Sequence, residues 1–255
     1  MGYNFNFCNI GFMIRILRKA HWIYSILVIL VFSCLFYPIY YLFSKNEKYY
    51  LLLNRSRQLH SRICSFFIGI VYRFEYEVQL DENQTYIFCA NHSSNLDIMI
   101  LCIIGRGKFH FLGKEELLNN PVLKLFFRTI DVPVNRDSKI SAFRAFKKVG
   151  DNLDNGMSLI IFPEGKIDEE HYPPKLQSFK NGPFRLAIEK NIPIVPVSLK
   201  DVWKKMWDDG SIHGTRPGIC HIYIHKPIST AELTIEDSDI LKERIFAVIN
   251  TKISE

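Results

Sequence analysis

Hydrophobic patterning divides the chain into two unequal parts. Residues 22–43 hold no charged side chain. As a helix this run is about 33 Å long, enough to cross a hydrocarbon core. Arg15, Arg18 and Lys19 precede it, and Trp22, Tyr37, Tyr40 and Tyr41 sit near its ends in the manner of interfacial anchors. The run lacks the polar face of a helix laid on a soluble core. It is also too long for the apolar part of a signal peptide, and no small-residue cleavage site follows it. A second stretch, 49–72, is amphipathic: Leu51, Leu52, Leu59, Ile63, Phe66, Phe67 and Ile70 accompany Arg55, Arg57 and Arg62. That pattern suits a helix in the interface with its arginines reaching lipid phosphates. Lys45 and Lys48 add positive charge after the first run, so both flanks are basic and the charge balance does not orient a single crossing. A hairpin dipping into one leaflet, with both flanks on the cytoplasmic side of the inner membrane, is the preferred arrangement. Residues 1–72 are assigned to this anchor and 73–255 to a second domain.

From Phe74 the pattern changes. Residues 74–78 alternate like a half-buried strand, and the short apolar runs 86–90, 108–112, 132–134, 158–162 and 192–199 read as further strands. Between them lie helical patterns: one beginning near Asp97, one over 122–127, one from Ser138 through Asp151 with Phe143, Phe146 and Val149 on one face, and one over 179–190. Residues 200–217 read as a loop with two tryptophans, 219–225 as a late strand and 234–253 as an amphipathic helix. Alternation of helix and strand predicts an α/β domain, a mostly parallel or mixed central sheet flanked by helices.

Composition narrows the partners. With 255 residues the chain can form one ample domain plus an anchor. A formal charge of +6 favours phospholipid headgroups, acidic carrier proteins or phosphorylated substrates. No groove-reading motif or aromatic-basic platform points to nucleic acid. The six cysteines (Cys8, Cys34, Cys64, Cys89, Cys102 and Cys220) lack metal-ligand spacing and read as reduced, buried thiols.

The chemistry concentrates in four blocks. In Asn91-His92-Ser93-Ser94-Asn95-Leu96-Asp97 a histidine stands where a strand ends and a helix begins, with an aspartate five residues on. Five residues of continuous helix turn about 500°, so the two side chains meet only if the chain turns first. Ser93, Ser94 or Asn95 would then cap the helix and Asp97 would sit in its first turn. A carboxylate can thereby hold one imidazole nitrogen while the other faces a hydroxyl. Arg136, in Val134-Asn135-Arg136, precedes a helix N-terminus and can clamp a phosphate in forked geometry. In Phe162-Pro163-Glu164-Gly165, Pro163 stiffens a turn, Gly165 permits close approach, and Glu164 can bond a substrate hydroxyl or brace a basic residue. Residues 192–197 form an apolar strand that can line a pocket.

In order and separation these blocks, with Lys114-Glu115-Glu116-Leu117, resemble the motifs of the glycerolipid acyltransferases, in particular the 1-acylglycerol-3-phosphate acyltransferases, from about Tyr76 to about Ser229. The resemblance implies that family's fold, with His92 as general base and Asp97 holding its tautomer. It implies Asn91, Lys114, Arg136, Glu164, Gly165 and Lys166 as substrate-binding residues. It implies acyl-coenzyme A or acyl carrier protein thioester as co-substrate, with no metal or redox cofactor, and an acyl channel opening toward the anchor. The third block departs from the family's usual Phe-Pro-Glu-Gly-Thr-Arg, since Lys166 and Ile167 follow Gly165. Lys166 or Lys180 can replace the missing cation, though without the arginine fork. Alternatively the acceptor is another lysolipid, such as an ornithine or glycine lipid. A catalytically inactive lipid-binding protein is the reading from a different class.

Overall fold

The computed structural model describes residues 3–254, with side chains described from residue 11 onward. It begins with α1 (Tyr3–Ser44), which runs on through Pro38, and α2 (Tyr50–Phe67), joined by a short 3₁₀ turn that Asn46 caps through the Lys48 N–H. The strands are β1 (Ile70–Tyr76), β2 (Ile87–Ala90), β3 (Phe109–Lys114), β4 (Val132–Val134), β5 (Ser158–Ile161), β6 (Ile194–Leu199) and β7 (Gly218–Ile224). The remaining helices are α3 (Leu96–Ile104), α4 (Pro121–Phe127), α5 (Lys139–Asp154), α6 (Gly182–Glu189) and α7 (Ser238–Ile253).

One seven-stranded sheet has the order β1-β7-β6-β2-β5-β3-β4. Its pairs are parallel except β6 with β7, so the sheet is mixed. The central strands are buried on both faces, as their continuous apolar runs require. Alternate residues feed two cores. Phe88, Ala90 and Ile160 pack with Leu96, Ile100 and Leu101 of α3 and Val28 of α1. Ile87, Cys89, Leu159 and Ile161 pack with Val149 of α5, Phe184 of α6 and Ile245 of α7. The turn that carries His92 leaves β2 at the centre of the sheet, with a core on either face.

Several expectations need correction. Helix α2 ends at Phe67, and Ile70–Tyr72 already belong to β1, so the expected boundary at residue 72 falls inside a strand. Phe143 is 72 % exposed, whereas Val149 is fully buried. Successive three-residue steps rotate about 60° off a helical face, which carries residue 143 out of the stripe. The anchor is also less separate than its sequence implies. The buried stripe of α2 is largely polar, including Asn54, Arg57, Ser61 and Ser65, while Leu52, Leu59, Phe66 and Phe67 point outward. Arg57 therefore reaches no lipid phosphate. It forks onto Asp131 at 3.2 and 2.9 Å, among the rings of Phe109, Phe111 and Phe126.

Helix α1 lies along the domain through Ser25, Val28, Ser33 and Tyr40, and leaves Ile23, Ile26, Leu27, Leu30, Val31 and Leu35 exposed. Residues Gly11–Ser44 are long and apolar enough to cross a membrane. Tyr40 is not an interfacial anchor: it is 1 % exposed and sets its ring edge against Phe126 at 4.9 Å. Cys64, Cys89, Cys102 and Cys220 are buried and unpaired, whereas Cys34 is exposed on α1; the side chain of Cys8 lies outside the described residues.

Candidate active site

The turn after β2 brings His92 and Asp97 together. The His92 Nδ1–H donates to Asp97 Oδ2 at 2.9 Å. The same oxygen accepts the backbone N–H groups of Ser93 and Ser94 at 2.7 and 2.8 Å. Asp97, in the first turn of α3, thus reaches back over the turn and satisfies two N–H groups at the helix start. Ser94 Oγ accepts the Leu96 N–H, while Asn95, at the N-cap, makes no side-chain cap bond. Asp97 is fully buried. Because a carboxylate only accepts, Nδ1 carries the proton and Nε2 keeps a lone pair for a substrate. The imidazole stacks on Phe162 at 4.0 Å and 14°, which fixes its plane.

Glu164 braces the turn from the other side. Its oxygens accept the backbone N–H of His92 and that of Gln177, each at 2.7 Å. Burial pushes its carboxyl up to about 8 against the pull of those two donors. Asn91 is likewise committed to the framework. Its amide accepts from the Leu199 N–H at 2.7 Å and donates to the Leu199 carbonyl at 3.1 Å, extending the β2–β6 pairing by one side chain.

His92 faces a cavity of about 220 Å³ that it shares with Ile98, Leu112, Lys114, Arg136, Lys166 and Ile167. A neighbouring cleft of about 410 Å³ adds Lys180, Glu116 and Asp137 around Arg136, Lys114 and Lys166. Arg136 is exposed at this cleft; what burial it has lowers its pKa, and Glu116 opposes that shift. Gly165 has φ 80, and a Cβ there would lie 3.6 Å from the Arg136 guanidinium, so the glycine lets the chain pass close over that cation. A third cavity of about 280 Å³, lined mainly by apolar side chains (Leu112, Val134, Ala142, Phe146, Phe162 and Pro183), also borders Arg136 and Lys180. It lies on the α5–α6 face of the sheet, opposite α1 and α2 rather than toward them.

Sequence reasoning missed the Phe162 stack, the Ser93, Ser94 and Gln177 backbone donors, and Ile98 and Ile167 in the cavity wall. Phe162 alone carried a signal, as the aromatic that opens the third block at a strand end. The assembled groups suit acyl transfer to a hydroxyl. In such an arrangement Nε2 can accept a hydroxyl proton, Asp97 can stabilise the imidazolium, and the neighbouring cations can hold an anionic group.

Comparison with known proteins agrees with that chemistry. The chain is 30% identical over 155 residues to the chloroplastic 1-acyl-sn-glycerol-3-phosphate acyltransferase BAT2 of Brassica napus, covering 60% of this chain and 44% of that protein. It therefore spans less than half the length of that relative. It is 25% identical over 236 residues to the 1-acyl-sn-glycerol-3-phosphate acyltransferase of Salmonella typhimurium, covering 91% and 90% of the two chains. The crystal structure of the 1-acyl-sn-glycerophosphate acyltransferase PlsC from Thermotoga maritima shares the fold, with a TM-score of 0.72 and 22% identity over 92% of this chain and 96% of that one. The model of the Acyltransferase family matches residues 72–200, a span that holds His92, Asp97, Arg136 and Glu164, and the chain belongs to that family.

Proposed function

We propose that this protein is a membrane-associated O-acyltransferase. It transfers a fatty acyl group from an acyl carrier protein or coenzyme A thioester to 1-acylglycerol 3-phosphate, giving phosphatidic acid. The observation that carries the reading is one cavity joining His92, backed by Asp97, to Lys114, Arg136 and Lys166. As Nε2 takes the acceptor's hydroxyl proton, the oxygen attacks the thioester carbonyl. The tetrahedral intermediate then expels thiolate, to which His92 returns the proton. Neither metal nor redox chemistry enters these steps.

The cations speak for a phosphate. Arg136 offers the fork, and Lys166 and Lys180 stand at the same cleft in place of the arginine that Ile167 replaces. A cationic ornithine headgroup would meet like charge there. The names of the bacterial and chloroplast relatives support the same acceptor. The apolar cavity between α5 and α6 suits an acyl chain. Helices α1 and α2 present the exposed apolar face that supports attachment to the cytoplasmic side of the inner membrane, and residues 73–255 carry the chemistry.

The test is acyl transfer by purified protein in lipid, with lysophosphatidate and ornithine- and glycine-type lysolipids offered in parallel. Turnover with lysophosphatidate alone is expected, with loss of at least a hundredfold in His92→Ala. Activity persisting in that variant would remove the assigned base, and preference for an aminoacyl lysolipid would remove the phosphate acceptor. Lipid binding without turnover on either carrier would leave only the inactive lipid-binding role.

A further inference from the structure

The loop between β6 and β7, residues 200–217, touches three functional parts at once. Its first grip is on the catalytic turn. The Asp208 N–H donates to the Ser93 carbonyl at 3.0 Å, and the Asn95 N–H donates to the Asp208 carbonyl at 2.9 Å. Ser94 and Asp208 form a parallel bridge, with Asp208 held at φ 52. The segment that carries His92 is therefore clasped on one side by the Asp97 carboxylate and on the other by the Asp208 backbone. The second grip is on the segment that follows the third block: Trp207 Nε1–H donates to the Asp168 carbonyl at 3.2 Å, and the Trp207 ring meets Tyr172 edge-on.

The third grip is on α1. The Thr215 N–H donates to the Arg18 carbonyl at 3.1 Å, Trp22 Nε1–H donates to the Asp209 carbonyl at 2.8 Å, and Lys19 donates to the Ser211 carbonyl. His21 bridges the Thr215 hydroxyl and the Ile68 carbonyl. A carbonyl only accepts, so Nε2 of His21 carries the proton and Nδ1 accepts from Thr215. Approach is so close at Gly214, φ 69, that a Cβ there would lie 2.6 Å from the Arg18 carbonyl carbon. Thr215 is 3 % exposed.

We infer that this loop is a positioning strap: it sets the turn that carries His92, and it makes that setting depend on how α1 is seated. The proposal rests on the reading of His92 as the base. The outer face of α1 (Ile23, Ile26, Leu27, Leu30) is apolar and exposed, so lipid against that face holds the helix in the place the strap requires. The strap joins the anchor to the reacting nitrogen without passing through the substrate. Bilayer binding thereby raises the rate of the chemical step itself, beyond concentrating lipid substrates. Thr215 and Trp22 act through the turn and are positioning residues.

The experiment uses the full chain with butanoylglycerol 3-phosphate, an acceptor that stays monomeric in water, and hexanoyl thioesters on both carriers. Rates are measured with and without phosphatidylethanolamine–phosphatidylglycerol vesicles. Wild type is expected to gain at least about fivefold in kcat on adding vesicles. Thr215→Val, which removes only the hydroxyl that His21 accepts from, is expected to lose about tenfold in kcat with vesicles present, consistent with slight misplacement of a catalytic group. Its KM should change less than twofold and its vesicle flotation should match wild type, while Thr215→Ser restores the rate. If Thr215→Val does not fold, Trp22→Phe, which removes the indole N–H together with one ring, takes its place under the same criteria. The proposal is overturned by a vesicle effect identical in wild type and variant, by no vesicle effect in wild type, or by a kcat loss explained by lost flotation. Absence of wild-type turnover under every condition overturns the reading of His92 beneath it, and the strap with it.

Discussion

A single oxygen, Asp97 Oδ2, receives the His92 ring N–H and two backbone N–H groups. It therefore sets the imidazole's tautomer and the turn's shape together. Asp97→Asn keeps the volume but removes the charge that favours the imidazolium, and it permits the amide to present N–H where the ring already donates. Activity is expected to fall by about a thousandfold with little change in acceptor KM, measured as kcat in the acyl-transfer assay. Equal losses in kcat and in acceptor binding would instead mark Asp97 as part of the binding surface. His110, in β3, gives a prediction for stability. It is fully buried, and burial drives its ring down to about 3. In the unfolded chain a histidine takes up a proton near 6.5. His110 therefore contributes stability in full above that pH, and the contribution is lost as pH falls toward 3. The slope from this one proton is at most about 1.4 kcal/mol per pH unit. Urea titrations between pH 7 and 4 should show a shallower acid loss in His110→Leu than in wild type, and an unchanged slope would mean the ring is protonated in the native protein.

At the scale of elements, α2 shows what periodicity can and cannot disclose. Its helical repeat was legible, and so was the presence of arginines among leucines, but pattern does not say which face meets the protein. The partner of Arg57 is Asp131, 74 positions away, so no local signal announces the pair. The same limit hid the partners of the 200–217 loop: its grip on Ser93 and Asn95 runs through backbone groups that every residue possesses, and the Trp207 indole meets a backbone carbonyl 39 positions away. By contrast, the strands β2, β5 and β6 were legible because burial on both faces demands unbroken apolar runs. The helix cap at Ser138 was legible because its hydroxyl bonds a nearby N–H, that of Ser141. His92 and Asp97 were found together since they lie five residues apart, but the stack on Phe162 was not, since it crosses from β2 to β5. The buried pair also makes α2 part of the catalytic body. Asp131 accepts the Phe111 N–H as well as the Arg57 fork, so loss of the arginine leaves a buried carboxylate with one donor. Arg57→Leu is expected to lower the unfolding free energy by about 3–5 kcal/mol in denaturant titrations, the usual cost of stranding one partner of a buried ion pair. A change below about 1 kcal/mol would show that water or a neighbouring cation replaces the guanidinium.

At the scale of the molecule, the length of α1 and its contacts make opposing demands. Residues 22–43 are long enough to traverse a bilayer, yet both ends of the run touch the same domain. Trp22 bonds the Asp209 carbonyl and Tyr40 packs on Phe126, 18 residues and about 27 Å apart along the helix. A crossing helix would carry one of these contacts to the far side of the membrane, where the domain cannot follow. The exposed apolar side chains of α1 and of α2 (Leu52, Leu59, Phe66) instead suit immersion in one leaflet. Arg15 decides between the two arrangements, because it lies one turn before Arg18, whose carbonyl accepts from Thr215. In a chain with Cys8 and Cys34 replaced by serine, Arg15→Cys and Glu232→Cys should react to the same extent with an impermeant maleimide in any sealed membrane preparation. A full span would make the two labels complementary, each protected where the other reacts. That result would also require the Thr215–Arg18 and Trp22–Asp209 contacts to break on insertion, so the labelling pattern and the vesicle dependence of kcat must stand or fall together.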